Sequence, residues 1–550
     1  MENSEMNGGE ILVETLLSRG IEAVFFVPGG TFVTVLDALS RVQNRIRSIP
    51  TRLESAAAFA CDAYAGISRI PACMFVSRAP GASNAVIGVH NAMQASRPFV
   101  LFIADIPKDM KGREAFQEID YRLMYAPVAK AVLEVHSFHE VAAVTARALD
   151  LAVSGRPGPV VCVVSRDILD GETGVARIPK PAAPVTMGAD PDAVAAAAQM
   201  IRNARFPILL AGEMIAIENQ GEALAQLAAA SGAGVLTAYR QQDVIDNDNP
   251  AFFGQLALNR LPFQSEALAD CDLIVNIGCR FDSVTTADYT LLRDDQKVVM
   301  IYPDAAVFSQ WQVDVAIGSL AGPAMTALSA SLAETLPPAA RIAWRDAIHA
   351  KEAAYAEPGD LEIHGDVDMS GIIQTFMRQV PDDTILSSDA GTFGRWIQRF
   401  YRFHKPYCNL GPISGAMGYG LPGAIGAQIA APDRMVFAWI GDGGFLMTGH
   451  EAAAIVQENL AVKIIVCDNA AWGSILVYQQ KRFGDRDFGT RLKSPNFATL
   501  AEGYGMAAFS VQKTAEFADA LSAAMAHDGP ALIHLILDTR DVSPYTGSAR

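Results

Sequence analysis

The stretch 435-MVFAWIGDGGFLMTGHEAAAIVQENLAVKIIVCDN-469 decides the fold of this chain. Apolar runs at 435–440 and 461–467 predict two buried strands, and the segment 451–457 between them predicts a helix. Such a strand–helix–strand unit belongs to a parallel sheet and returns the chain to the same sheet edge. Asp442 and Asn469, 27 positions apart, are therefore predicted to lie side by side at the carboxyl edge, where ligands bind in open α/β folds.

These residues suit a metal ion bound to a phosphate group. Gly441, Gly443 and Gly444 allow backbone amides to approach a phosphate closely. Asp442 and Asn469 supply two of the hard oxygen ligands that Mg²⁺ prefers. A bare Gly-Asp-Gly also occurs in incidental strand–turn–helix connections, but the whole unit at this spacing favours a site for Mg²⁺ and a diphosphate.

The pattern around this stretch extends over the whole chain and predicts an α/β fold. Three blocks, at 1–170, 188–335 and 366–550, are predicted to be doubly wound parallel-sheet domains. Segments rich in Gly, Pro and Thr at 167–190 and an irregular stretch at 335–365 separate the blocks. The predicted strands lie at 23–27, 72–77, 99–104, 160–164, 207–211, 273–277, 298–301, 384–387, 435–440, 462–467 and 531–537.

Composition narrows the class of protein. The chain has 550 residues, of which 51% are hydrophobic and 19% charged, so large cores are expected. A net charge of 43 − 60 = −17 argues against nucleic acid and anionic membranes as partners. The polar N-terminus and the lack of a long apolar run predict neither a signal peptide nor a membrane helix. Seven unpatterned cysteines predict reduced thiols, and we expect a cytoplasmic protein.

The motif Gly441-Asp442-Gly443 with Asp468-Asn469 resembles the signature of thiamine-diphosphate enzymes. The resemblance implies that Asp442, Asn469 and the backbone carbonyl of Ala471 bind the metal. It also implies that the first domain binds the pyrimidine ring of the cofactor and the third its diphosphate. Sites between chains follow from that arrangement, so a homodimer or homotetramer is expected. The family usually has Asn-Asn where this chain has Asp468-Asn469.

Glu54 is the candidate catalytic acid. It stands at the start of a helix predicted at 54–66, after a short extended segment. A glutamate in the first turn of a helix commonly just complements the helix dipole. In the resembled family, however, a carboxylic acid at this kind of junction bonds to the aminopyrimidine ring, which then removes the proton of the thiazolium carbon. The diphosphate motif favours this second role for Glu54.

Further segments resemble acetohydroxyacid (acetolactate) synthase large subunits. In the run 414–422, the resemblance implies that Met417 wedges the cofactor into a bent conformation and that the Gly415 carbonyl accepts from the pyrimidine amine. Met in an apolar stretch is otherwise ordinary core filler. The loop 106–118 resembles the synthase loop whose Phe-Gln pair lines the site, which makes Gln117 a second catalytic candidate.

Other positions depart from the synthases. Gly278-Cys279-Arg280-Phe281-Asp282 resembles a stretch that contacts FAD, but Phe253-Gly254-Gln255 replaces a Met-His-Gly element before it, which leaves FAD binding open. Arg78-Ala79 stands where Ser-Gly is usual, and Tyr478 aligns with the Trp that selects the second substrate. His90 faces either the pocket or the core.

The favoured function is a carboligase, in which a 2-oxo acid loses CO₂ and its remaining fragment attacks a second carbonyl. The alternatives are a simple 2-oxo acid decarboxylase or an aldehyde lyase, which would act on hydroxyketones. A non-catalytic cofactor-binding relative is disfavoured because binding alone does not need Glu54. A nicotinamide-dependent oxidoreductase is disfavoured because no GxGxxG opens a βαβ unit with a following ribose-binding acid.

Overall fold

The protein consists of three α/β units, each built on a six-stranded parallel sheet. The computed structural model describes residues 5–171, 173–175, 177–181, 187–359, 361–484 and 486–544. Within these ranges, no helix is both long and apolar enough to cross a membrane. The three doubly wound sheets predicted from the sequence are confirmed, and all eleven predicted strands are present to within one or two residues.

In the N-terminal sheet the first and second strands are neighbours. The third strand lies on the other side of the first, so the strand order reverses at that point. In spatial order its strands are Arg47–Pro50, Ala23–Phe26, Ala72–Ser77, Phe99–Asp105, Val160–Ser165 and Ala131–Val135. A short antiparallel pair, Met6–Asn7 with Thr173–Gly174, lies beside it. The helices are Gly8–Ser18, Val33–Ser40, Glu54–Ser68, Arg78–Ala95, Tyr121–Tyr125, Val141–Val153 and Arg166–Asp170.

The central sheet has a different order, 3-2-1-4-5-6 when its strands are numbered along the chain. Its strands in space are Phe252–Gln255, Gly234–Thr237, Pro207–Ala211, Leu273–Ile277, Lys297–Ile301 and Val315–Ile317. Its helices are Pro191–Asn203, Glu213–Glu218, Gly221–Ser231, Pro262–Asp270, Ala321–Leu332 and Ala339–Ala356.

The C-terminal sheet repeats the order of the N-terminal sheet, 2-1-3-4-6-5. Its strands in space are Asn409–Leu410, Ile385–Ser388, Val436–Gly441, Lys463–Asp468, Ala531–Ile536 and Ala507–Val511. Its helices are Met369–Gln379, Phe393–Phe400, Gly420–Ala430, Asp442–Thr448, Ala452–Gln457, Gly473–Phe483, Phe497–Gly503 and Phe517–Ala526.

The N- and C-terminal units share one hydrophobic core. Helix Glu54–Ser68 packs on helix Gly420–Ala430 so closely that a Cβ on Gly426 would come within 2.1 Å of the Ala60 carbonyl oxygen. A buried hydrogen bond of 2.8 Å from the Tyr419 hydroxyl to the Asp62 carboxylate crosses the same interface. Close packing of small residues therefore fixes the two units relative to each other.

Two of the predicted irregular segments are wrong in part. The stretch predicted at 335–365 contains the helix Ala339–Ala356, because Pro338 occupies its N-cap and starts the helix, whereas the prolines had indicated a loop. The stretch predicted at 167–190 overlaps helix Arg166–Asp170 and strand Thr173–Gly174. Residues 172, 176 and 182–186 of that stretch lie outside the described residues.

Candidate functional site

A cleft of about 220 Å³ opens at the carboxyl edge of the C-terminal sheet. Residues that follow strands Ile385–Ser388, Val436–Gly441, Lys463–Asp468 and Ala531–Ile536 line it. This is the position where open α/β sheets bind ligands. The structure brings eight of the predicted site residues together here: Gly415, Met417, Gly441, Asp442, Gly443, Gly444, Asn469 and Ala471.

The three predicted metal ligands form one hydrogen-bonded group. The backbone N–H of Ala471 donates to Asp442 Oδ2 at 3.1 Å and to Asn469 Oδ1 at 3.2 Å. Asp442 is buried, which raises the pKa of its carboxyl, and in the described part of the chain it forms no ion pair with a lysine or arginine. The site therefore holds a buried carboxylate without a cation, beside an amide oxygen.

The glycines of the motif are required by close contacts. A Cβ on Gly443 would come within 2.2 Å of the Trp472 ring, and one on Gly444 within 2.6 Å of Asp389 Oδ2. Gly415 adopts a φ of +74°, in the left-handed region that side chains disfavour. The motif thus brings bare backbone to the cleft wall, and the indole of Trp472 covers it.

Asp389 holds the run that carries Gly415 and Met417. Its carboxylate accepts from the Gly418 N–H at 3.0 Å and from its neighbour Ala390 at 2.6 Å. Burial raises the pKa of Asp389 to about 6, and its backbone hydrogen bonds only partly offset that. Asp389 and the cleft-lining Ala390-Gly391 were not predicted from the sequence, although the predicted strand at 384–387 ends just before them and could have indicated them.

Asp468, the departure from the usual Asn-Asn pair, has a structural partner. His534 Nε2 lies 2.9 Å from Asp468 Oδ2, and the Ser494 hydroxyl donates to Oδ1 at 2.6 Å. Burial alone would raise the pKa of Asp468, but these hydrogen bonds outweigh it and lower the pKa. An aspartate at this position is thus stabilised as an anion below the floor of the cleft.

Glu54 and Gln117 lie at the carboxyl edge of the N-terminal sheet and do not line the cleft. Glu54 is the first residue of helix Glu54–Ser68, and its Oε2 accepts from the Asn84 side-chain amide at 2.9 Å. A Cβ on Gly81 would come within 3.0 Å of its other oxygen. Within one chain, the predicted catalytic residues therefore do not line the cleft that holds the predicted metal ligands.

The loop that carries Gln117 is held in an unusual conformation. Gln117 has a φ of +67°, and the Arg78 guanidinium donates to the neighbouring Phe116 carbonyl at 3.4 Å. The Phe116 side chain is 77% exposed. Tyr478 is also exposed, one turn beyond the cleft-lining Ile475, and neither Tyr478 nor His90 lines the cleft.

The corresponding edge of the central sheet is closed. The hydrogen bonds between strands Pro207–Ala211 and Leu273–Ile277 continue past the strand ends, from Gly212 N–H to the Ile277 carbonyl at 2.9 Å and from Met214 N–H to the Gly278 carbonyl at 3.2 Å. The buried Glu213 carboxylate accepts from Arg280 Nε at 3.1 Å and from the Tyr302 hydroxyl at 3.1 Å. Arg280, the residue in the FAD-like stretch, also donates to the Gln94 carbonyl of the N-terminal unit at 2.5 Å.

Comparison with known proteins agrees with this architecture. Three family models of thiamine pyrophosphate enzymes match the chain: the N-terminal TPP binding domain at residues 6–124, the central domain at 194–328 and the C-terminal TPP binding domain at 389–535. The acetolactate synthase large subunit of Corynebacterium glutamicum is 30% identical and is aligned over 97% of this chain and 87% of its own length.

Two other relatives carry similar names. A probable acetolactate synthase large subunit of Methanocaldococcus jannaschii is 29% identical, over 98% of this chain and 93% of its own length. The acetolactate synthase isozyme 2 large subunit of Escherichia coli is 28% identical, over 97% of this chain and 96% of its own length. With all three domain models and full-length relatives matched, the chain belongs to the thiamine pyrophosphate enzymes and is similar to their acetolactate synthase large subunits.

Proposed function

We propose that this chain decarboxylates a 2-oxo acid and joins the remaining fragment to a second carbonyl, as an acetolactate synthase does. The observation that carries the proposal is the convergence of eight motif residues on one cleft, in a chain whose full-length relatives are named acetolactate synthase large subunits. When bound, thiamine diphosphate supplies the electron sink for the carbon that loses CO₂.

The residues of the cleft fit Mg²⁺ as the metal ion that would bind with the diphosphate. Asp442, Asn469 and the Ala471 carbonyl would supply oxygen ligands, which suit a hard cation that also binds phosphate oxygens. The buried carboxylate of Asp442, which has no lysine or arginine partner among the described residues, supports this assignment, because burial without a cation is costly. Gly441, Gly443 and Gly444 would let the backbone approach the diphosphate, with Met417 and the Gly415 carbonyl toward the pyrimidine.

Glu54 would share a proton with the pyrimidine ring and so promote loss of the proton from the thiazolium carbon. Gln117 would orient the acceptor carbonyl by a hydrogen bond. Both residues require a second copy of the chain, since neither lines the cleft of its own C-terminal unit. Exposed apolar residues at both edges, Phe116 on one and Leu446, Met447 and Ile475 on the other, support such a homodimer or a homotetramer.

In this arrangement residues 1–170 form the pyrimidine-binding domain, 188–335 the central domain and 366–550 the diphosphate-binding domain. We infer that the central domain works without FAD. At its strand-order reversal, where a dinucleotide would lie, Met214 N–H donates to the Gly278 carbonyl and the Glu213 carboxylate binds Arg280. Burial of all seven cysteines as free thiols supports a reducing compartment such as the cytoplasm.

The test supplies the purified protein with thiamine diphosphate, Mg²⁺, pyruvate and a panel of other 2-oxo acids, and measures CO₂ and the carbon product. A coupled hydroxy-oxo acid is expected. Free aldehyde would instead assign the decarboxylase, and turnover of hydroxyketones without CO₂ would assign the lyase.

Glu54→Gln tests the mechanism within the same assay. Because general acid–base catalysis contributes about 10²–10⁴-fold, turnover should fall by about 100-fold or more while the cofactor Kd changes less than about threefold. The exposed control Glu502→Gln should keep wild-type turnover. Full activity of Glu54→Gln would contradict the role of this acid.

A further inference from the structure

Glu451 connects the C-terminal unit to the segment that carries Glu54. It is the last residue of the 3₁₀ turn Gly449–Glu451, which directly follows helix Asp442–Thr448, and it is fully buried. Its Oε1 accepts from the backbone N–H of Arg52 at 2.9 Å and of Leu53 at 3.0 Å. A side chain of one unit thus binds two consecutive backbone amides of another.

Those amides belong to the two residues immediately before Glu54. Leu53 is the N-cap of helix Glu54–Ser68, with an extended backbone and no side-chain cap of its own. The same carboxylate therefore fixes both peptide units that lead into the helix. Since the direction of the Glu54 side chain depends on where its Cα lies and how its backbone is oriented, Glu451 controls both.

Burying the Glu451 carboxylate costs more free energy than is needed merely to hold two units together. Burial raises the pKa of Glu451 to about 7, and the hydrogen bonds from Arg52 and Leu53 with the charge of Arg52 offset this only in part. Its second oxygen, Oε2, is buried and has no hydrogen-bond partner among the described residues. Apolar residues of similar volume would bind two units together at lower cost.

Glu451 both joins the two units and fixes the backbone before Glu54. The contact of the Arg52 side chain with Gln457 only joins the units. The Arg52 guanidinium donates to the Gln457 side chain at 2.7 Å across the same interface, and to the Pro50 carbonyl at 3.1 Å within its own segment. The Gln457 contact therefore involves the same two units and the same Arg52, but it only holds the units together.

We propose that Glu451 is a positioning residue for Glu54, fixing the backbone before it so that the Glu54 carboxyl group meets the cofactor. The proposal rests on the proposed role of Glu54 as the activating acid. Glu451 lies outside the cleft, beyond the C-terminal end of helix Asp442–Thr448, and activation of the cofactor depends on it.

The test uses the full-length protein and three variants of Glu451. Glu451→Ala removes the acceptor, Glu451→Asp keeps the charge but withdraws it by one methylene group, and Glu451→Gln keeps an oxygen at the same reach. Gln457→Ala is the matched control. Amide hydrogen exchange at residues 50–56 is measured without cofactor, and exchange of the thiazolium C2 proton with deuterated solvent is followed by NMR on bound thiamine diphosphate.

In Glu451→Ala we expect faster amide exchange at Arg52 and Leu53 and a C2-proton exchange rate lower by about 10–100-fold, because a displacement of about 1 Å costs on the order of 10²-fold. Glu451→Asp should give exchange rates between those of wild type and Glu451→Ala. It replaces the alanine variant in the test if that variant does not fold. Glu451→Gln should stay within about threefold of wild type. The cofactor Kd should change little in all of them.

Two outcomes would overturn the proposal. One is faster amide exchange in Glu451→Ala or Glu451→Asp with unchanged C2-proton exchange, which would leave Glu451 as an adhesive contact. The other is an equal loss in Gln457→Ala. Normal C2-proton exchange in Glu54→Gln would instead refute the role of Glu54, so the two failures are distinguishable.

Discussion

The C-terminal and central sheets both end a strand with glycine followed by an acid, yet one edge is open and the other is closed. In the C-terminal unit, Gly441-Asp442 opens into the cleft, and Asp442 has no cation partner among the described residues. In the central unit, Gly212-Glu213 meets Arg280 and Tyr302, and Met214 N–H donates to the Gly278 carbonyl. The charge balance of the acid, rather than the glycine, distinguishes a candidate ligand site from a structural junction.

The largest expected effect comes from changing the acid at the open edge. Asp442→Asn removes a charged oxygen ligand from the proposed Mg²⁺ site. Residues that merely support metal ligands cost 10–100-fold when changed, so a direct ligand should weaken Mg²⁺-dependent cofactor binding by at least about 100-fold and abolish measurable turnover. Quenching of the fluorescence of the cleft tryptophans, Trp396 and Trp472, reports binding.

The exposed control for this prediction is Asp433→Asn, which should bind the cofactor as wild type does. If Asp442→Asn bound thiamine diphosphate with Mg²⁺ within threefold of wild type, the uncompensated carboxylate would not be a metal ligand. The contrast between the two edges would then lose its functional meaning.

Substitutions at the closed edge of the central sheet should change the free energy of unfolding. Arg280→Met leaves the Glu213 carboxylate buried without its cation, which costs about 3–5 kcal/mol when a buried pair is broken from one side. The double variant Glu213→Leu with Arg280→Met should recover most of that loss, because apolar replacement of both partners is often neutral. Chemical denaturation measures both free energies of unfolding.

The same preparations test whether this edge takes FAD. Purified wild-type protein should show no visible flavin absorbance, before or after incubation with FAD and removal of the unbound flavin. Flavin retained in stoichiometric amount would show that the Glu213–Arg280 pair opens to admit a ligand, and the two edges would then be functionally alike.

The sequence indicated inner strands of the three six-stranded sheets but none of their six edge strands. Runs such as 273–277 are continuously apolar and buried, and they were predicted to the residue. Arg47–Pro50 and Asn409–Leu410 are short and partly exposed, so they carry no apolar run and were missed. Gly234–Thr237, although buried, was also missed, because the glycines at 232 and 234 indicate a turn where this strand begins.

The site was predictable where one local unit carries it. The strand–helix–strand pattern around Gly441–Asn469 indicated which residues meet at one edge, since its geometry is local. Whether the edge that carries Glu54 and Gln117 meets this one depends on how two units pack, which neither motif specifies. Glu213 was missed for a related reason, because its significance comes from Arg280, 67 positions away in the chain.

The smallest expected effect concerns a second acid at the open edge. Asp389 is fully buried, and Arg240 bonds to its backbone carbonyl at 3.1 Å, not to its carboxylate. Because burial raises the pKa of Asp389 from 3.8 to about 6, the folded protein holds a proton that the unfolded chain has lost over this range. The free energy of unfolding should therefore decrease as pH rises from about 4 to about 6 and level off above it.

The shift corresponds to about 3 kcal/mol at most over that window. Asp389→Asn keeps an oxygen for the Gly418 N–H but does not titrate, so the difference in unfolding free energy between wild type and variant should change by up to this amount between pH 4 and pH 6. A constant difference across the window would mean that Asp389 stays ionised, although no described residue places a cation on its carboxylate. Asp389 would then add an anion near Asp442, and the attraction for a divalent cation would be stronger than Asp442 alone provides.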